Sequence, residues 1–175
     1  MSQSIAIVEY DFRWPLIYEE EKRLILAIAG HKILCLEHIG STAVVGLGAK
    51  PIVDIMGGVN DFSTADEVLS LLRDIRYTDV IRQPGDSEWY YCLSKVIHGQ
   101  EAWLQKLHLH LMKFRSETWE RHLLFRDFLR NHPETVQKYY ELKRMLAAKY
   151  GEDRESYTNA KTDFIASVVN QARVK

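Results

Sequence analysis

Two cysteines, four prolines and no long apolar run are what this 175-residue sequence has least of. Cys35 and Cys92 both fall in apolar, strand-like runs. That placement predicts buried thiols in a reducing compartment, not a disulfide framework. No apolar run approaches the roughly 18 residues of a spanning helix, so no membrane segment is expected. The opening MSQSIAIVEYD lacks a basic stretch followed by an apolar one, so no secretory signal is expected and the reading is cytoplasmic. The net charge of −1 creates no overall field for a membrane or nucleic acid. The helical tail carries many Lys and Arg, but no basic stripe interleaved with aromatics, so nucleic acid is not the expected partner. The sequence does not identify a protein partner.

What is present is an ordinary globular composition, 46% hydrophobic and 27% charged. No internal repeat, low-complexity segment or flexible linker divides the chain. It reads as one domain over 1–175, with a mixed α/β core over 1–115 and a helical tail over 116–175.

The chain is organised around Glu37–Ile55, EHIGSTAVVGLGAKPIVDI. An apolar strand candidate, Lys32–Leu36, precedes it, and the apolar run Pro51–Val59 overlaps its end. Between them lie Gly40, Ser41, Thr42, Gly46, Gly48 and Lys50. A Gly-Ser turn leaving a strand points backbone N–H groups and a hydroxyl at an anion. Glycine permits close backbone approach, and serine adds a donor. The alternative role for Ser41 is a helix cap. Asp54 then stands inside an apolar strand, where a carboxylate must be paired, hydrogen-bonded or metal-bound. Cradle first and in-strand acid second is an order suited to handling phosphate through a divalent metal. The other option for Asp54 is a structural pair with Lys50 or an arginine.

These residues resemble the signature of the nucleotidyltransferase (DNA polymerase beta-like) fold, and HIGSTAVVGL followed by AKPIVDI resembles the GrpB family within that superfamily. The opening Tyr10-Asp11 with Trp14-Pro15, and the tail words FRDFLR, YYELKRMLA and YTNAKTDFI, extend the likeness over nearly the whole chain. It implies a mixed sheet flanked by helices, with the helical segment packed on it. In the superfamily the Gly-Ser turn holds nucleotide phosphates. Ser41 and Asp54 are 13 positions apart, within the superfamily's range. The usual second acid, two residues on, is replaced by Met56.

The pattern predicts a strand or arm over 4–10, then a helix opened by Pro15, with Ile17, Leu24, Ala27 and Ile28 on its apolar stripe and Gly30 as its stop. A second helix is predicted from Thr64 to Ile75, capped by Ser63 and Asp66, with Val68, Leu69, Leu72 and Ile75 buried. Strands are predicted over 76–81 and 89–96, with turns at 83–87 and 98–100. Leu104–Phe114 alternates strictly, with Leu107, Leu109 and Leu111 on one face and His108, His110 and Met112 on the other. The last two strands are expected to form a hairpin. Helices follow on Trp119, Leu123, Leu124 and Phe128, then on Val136, Tyr139, Leu142, Leu146 and Tyr150 up to Gly151. The last one, from Thr158, carries Ile165, Val168, Val169 and Ala172.

The candidate site follows. Gly40, Ser41, Thr42 and Lys50 would contact phosphate, with Lys50 as a point charge. Arg126, Lys143 and Lys161, in the matching words of the tail, would close over a triphosphate, and Tyr157 would stack on a base. Asp54 would hold a divalent metal, with His108 and His110 converging on it if their strand neighbours its strand. His38, next to the turn, is a weaker addition. In the superfamily a later strand supplies a third acid, and histidines in its place move the preference from Mg²⁺ towards Mn²⁺ or Zn²⁺. Asp54 and His110 are the catalytic candidates, His110 as a base near neutral pH. Glu37, Glu88 and Asp127 are further acid candidates. Three functions fit: metal-dependent nucleotidyl transfer, in which an acceptor attacks the alpha-phosphorus and displaces pyrophosphate; a binding module for a nucleotide or CoA-like ligand that regulates a protein partner; and metal-dependent hydrolysis at a histidine-rich site.

Overall fold

The computed structural model describes residues 5–82, 90–97 and 105–174. Five strands make one mixed sheet in the order β1-β2-β5-β4-β3. They are β1 (Cys35–Ile39), β2 (Ile52–Val59), β3 (Asp79–Arg82), β4 (Tyr90–Ile97) and β5 (Gln105–Lys113). β2 and β5 run parallel at the centre, and every other pairing is antiparallel. β4 and β5 are antiparallel neighbours, as a hairpin requires. The turns predicted at 83–87 and 98–100, together with Trp89, Leu104 and the acid candidate Glu88, lie outside the described residues.

The period of two divides the sheet into unlike faces. Val53, Ile55 and Val59 from β2 join Leu107, Leu109 and Leu111 from β5 and Leu93 from β4. Helices α1 (Arg13–Ala29) and α2 (Phe62–Leu72) cover this face and complete the main core with Trp14, Ile25, Val68 and Leu72. The opposite face carries Asp54 and Met56, His108 and His110, and Cys92. Helices α3 (Glu117–Asn131), α4 (Pro133–Tyr150), α5 (Arg154–Asn159) and α6 (Thr162–Arg173) follow the sheet in the chain. Trp119 of α3 packs on Ile39, Met56 and Met112, so the helical tail is seated on that second face. No helix among the described residues is long and apolar enough to cross a membrane.

Several local expectations shift. Residues 5–10 form an arm and not a strand; its one β-bridge joins Val8 to Ala49. Ile5 donates from its backbone N–H to the Gly151 carbonyl and is buried beside Leu146 and Tyr157. The buried stripe of α1 runs Trp14, Tyr18, Glu21, Ile25 and Ala29, while Leu24 and Ala27 face solvent. Ile17, Leu24 and Ile28 each lie one position before this stripe, which the polar Glu21 interrupts. Glu21 is buried by its ion pair with Lys95 at 2.9 Å. α2 starts earlier than predicted, because Asp61 rather than Ser63 caps it by accepting from the Thr64 N–H at 2.8 Å. The final helix is broken at Ala160–Lys161 into α5 and α6, where a single helix had been expected. Asp153 caps the short piece, accepting from the Ser156 N–H.

Candidate functional site

The Gly40 turn begins where β1 ends. Gly40 has φ +72°, and a Cβ there would stand 2.7 Å from Asp54 Oδ2. Only glycine fits both the left-handed backbone and the approach to the carboxylate. A short 3₁₀ turn follows over Ser41–Ala43. His38 does not join the metal candidates, because it lies on the apolar face. It is buried, stacked on Tyr18 with ring centroids 4.8 Å apart, and its Nε2 lies 3.0 Å from Thr42 Oγ1. Burial, partly opposed by the Asp54 charge, lowers its pKa to about 4, so it stays neutral and braces the turn.

The parallel register of β2 and β5 pairs Asp54 with His108 and Met56 with His110. His110 Nε2 lies 3.0 Å from Asp54 Oδ1, and His108 Nδ1 lies 3.4 Å from the same oxygen. Among the described residues, Asp54 forms no ion pair with Lys50 or an arginine. Burial pushes its carboxyl up, but the hydrogen bonds and charges of the two imidazoles more than offset this and hold it well below the usual carboxylate range. The carboxylate keeps 28% of its side-chain surface open, so a ligand in the cleft can reach it. Met56, two residues after Asp54 on the same face, is fully buried with Met112 and Trp119.

Around this triad is a cleft of about 400 Å³. Gly40, Ser41, Thr42, Lys50, Asp54, His108, His110 and Lys161, all expected from the sequence, line it together. Lys143 and Tyr157 line it as well. Lys143 Nζ donates to Ser41 Oγ at 3.0 Å and to the Gly48 carbonyl. The amines of Lys50 and Lys161 stand 4.1 and 4.4 Å from the centre of the Tyr157 ring. Tyr157 is almost fully buried and packs beneath both amines, where a base-stacking platform had been expected. No carboxylate forms an ion pair with any of these three lysines among the described residues. Burial lowers all three pKa values: Lys143 to about 7, helped by the Lys161 charge, Lys161 to about 8, helped by Lys50, and Lys50 in the same direction, helped by Arg154.

Arg126 does not line the cleft. It is buried, with its guanidinium bonded to Glu37 Oε2 at 2.6 Å, the His38 carbonyl at 3.0 Å and Asp127 Oδ1 at 2.7 Å. That network takes up the acid candidates Glu37 and Asp127 too. With Arg130, which donates to the Ala43 carbonyl at 2.9 Å, it clamps α3 to the β1 end and the turn. His122 of α3 is a cleft residue the sequence reading missed. It falls three residues after Trp119 and four before Arg126, on the face of α3 turned to the sheet, and that spacing was the available signal. Burial, with the nearby His110 charge, lowers its pKa to about 4.

Two imidazoles and one carboxylate make a chemically sensible donor set for a divalent metal. Asp54 Oδ1 stands 3.4 Å from His108 Nδ1 and 3.0 Å from His110 Nε2, so it can share an ion with either imidazole at bonds of about 2.0–2.1 Å. With a single carboxylate, the set does not fit a pair of Mg²⁺ ions, which lean on carboxylates. It suits one imidazole-accepting ion such as Zn²⁺ or Mn²⁺.

The sequence family described as GrpB protein matches residues 4–171. The Glutamate-rich protein GrpB of Alkalihalophilus pseudofirmus is 32% identical, with 95% of each chain covered. A UPF0157 protein of Halalkalibacterium halodurans is 33% identical over 97% of this chain and 83% of its own length. The crystal structure of the conserved protein GrpB from Enterococcus faecalis superposes with a TM-score of 0.78 at 30% identity, covering 95% of this chain and 96% of that one. Matched from the arm through the Gly-Ser turn to the last helix, the chain belongs to the GrpB family.

Proposed function

We propose that the cleft binds a nucleotide or a CoA-like ligand by its phosphates, beside one divalent metal ion held by Asp54, His108 and His110. The observation that carries this reading is the convergence of Lys50, Lys143 and Lys161, without ion-pair partners among the described residues, on the Gly40–Ser41 turn next to Asp54. Unpaired amines brought together and partly desolvated are costly unless an anion joins them. The turn adds the Ser41 hydroxyl and backbone N–H groups, and the lysines supply the charge. A metal ion there would neutralise phosphate charge. Nucleotidyl transfer is the reaction this arrangement best suits. The lysines and the turn would orient the phosphates for in-line attack by an acceptor hydroxyl. The free thiols Cys35 and Cys92 fit a reducing, cytoplasmic setting.

The test is a melting-temperature panel of nucleoside triphosphates, CoA and dephospho-CoA with Mn²⁺, Zn²⁺, Mg²⁺ or EDTA, on the intact chain and on Asp54→Ala. A ligand bound only to the folded state raises the melting temperature. The expected result is a rise that a transition metal enlarges, the metal-dependent part being lost in Asp54→Ala. No rise with any phosphate ligand overturns the proposal. A second reading, a binding module without turnover, is favoured by the buried Met56 in the place of an acid. Release of pyrophosphate by the ligand identified in the panel separates transfer from binding alone.

A further inference from the structure

The β4–β5 register places Cys92 directly opposite His110, on the same face of the sheet, with His108 opposite Ser94. Across the sheet the histidine pair is therefore flanked on one side by Asp54 of β2 and on the other by Cys92 of β4. Sulfur and one ring nitrogen from each histidine lie within 4.8 Å of one another, and all three side chains are partly open. The thiol is free. The two imidazoles stand edge to face, with centroids 6.1 Å apart. Two adjacent strands hold the set, so its ligand atoms are carried on paired backbone and not on loops.

We propose that Cys92 is a ligand of the cation held by His108 and His110, so that this centre takes a soft divalent ion such as Zn²⁺ or Co²⁺ in strong preference to Mg²⁺. Thiolate and imidazole donors select Zn²⁺-like ions, whereas Mg²⁺ demands oxygen. Added to Asp54, His108 and His110, Cys92 brings the protein ligands to four, the tetrahedral count of Zn²⁺. Binding releases the thiol proton to solvent, because the ligand is the thiolate. The inference rests on the reading that the histidine pair holds a metal, and adds the ligand that decides which metal.

Cobalt titration of the metal-free protein tests it, since a Co²⁺–thiolate bond gives an intense near-ultraviolet charge-transfer band, whereas imidazole and carboxylate ligands give only weak visible bands. The intact chain should show the charge-transfer band. Cys92→Ser should lose it, keep the visible bands and bind Zn²⁺ at least about ten-fold more weakly. His108→Ala with His110→Ala should abolish both sets of bands. Visible bands without charge transfer in the intact chain would overturn the role of Cys92 and leave the Asp54–histidine centre standing. No cobalt spectrum at all would overturn both. A Cys92→Ser variant that fails to fold is met by Cys92→Ala and by the intact chain's own spectrum, which decides the question without any substitution.

Discussion

Anion binding to the lysine cleft should weaken steeply with pH above neutrality. Lys143 is brought to a pKa of about 7 and Lys161 to about 8, chiefly by burial. An anion binds their charged forms, so a neutral amine must first take up a proton, and the dissociation constant grows as the neutral fraction grows. Between pH 7.5 and 8.5 this multiplies the constant about eight-fold through Lys143 and about three-fold through Lys161, about twenty-five-fold together. Lys50, also lowered by burial, acts in the same direction. The interval lies above the ordinary histidine range, near 6.5, and His122 and Asp54, both lowered, have finished titrating below it. Sulfate is the right probe, because it does not titrate there itself. Calorimetry on the metal-free protein should give the full loss for the intact chain and about three-fold for Lys143→Met. A sulfate constant flat to within about two-fold across that unit of pH would refute the reasoning, as it would mean the amines are charged throughout or do not face the anion.

Gly40→Ala should cost roughly 1–3 kcal/mol in chemical denaturation from its left-handed backbone alone, and should weaken metal binding, because the new Cβ meets the Asp54 carboxylate. Equal metal affinity in that variant would show that the carboxylate is not positioned by the turn. Arg126→Ala should lower stability by roughly 1.5–3 kcal/mol through its lost charge-assisted bonds, while sulfate affinity stays within about two-fold. A selective loss of sulfate binding at unchanged stability would return Arg126 to the anion site. Met56→Ala should cost roughly 2–5 kcal/mol as a cavity in a closed cluster, read as a lower melting temperature. A stability within about 0.5 kcal/mol of the parent would show that the position is open and not packed.

The halves of the site differ in how far the residues announced them. The alternation of Leu107, Leu109 and Leu111 against His108 and His110 sets their faces, because strand periodicity is local. Gly40, Ser41 and Asp54 were legible because a glycine-serine turn and an acid inside an apolar strand are both costly without a purpose. The α1 stripe was misread because a buried ion pair between Glu21 and Lys95, far apart in the chain, made a core position look polar. Lys143 carried a weaker signal. It sits four residues after Tyr139 and three before Leu146, on the buried stripe of α4, where a lysine needs an explanation.

By itself, the sequence determined the elements, the two faces of β5 and the cradle-and-acid order around Gly40 to Asp54, since each follows from backbone preference or from the cost of burying a polar group. Tertiary structure alone decided that Lys50 and Lys161 meet over Tyr157 beside Lys143, that His122 enters the cleft while Arg126 is withdrawn to Glu37 and Asp127, and that Cys92 lies opposite His110. Helical periodicity says which face of a helix is buried but not what it is buried against, and strand periodicity does not name the neighbouring strand. Those pairings are set by the packing of the whole chain, where segments far apart in sequence compete for the same apolar surface.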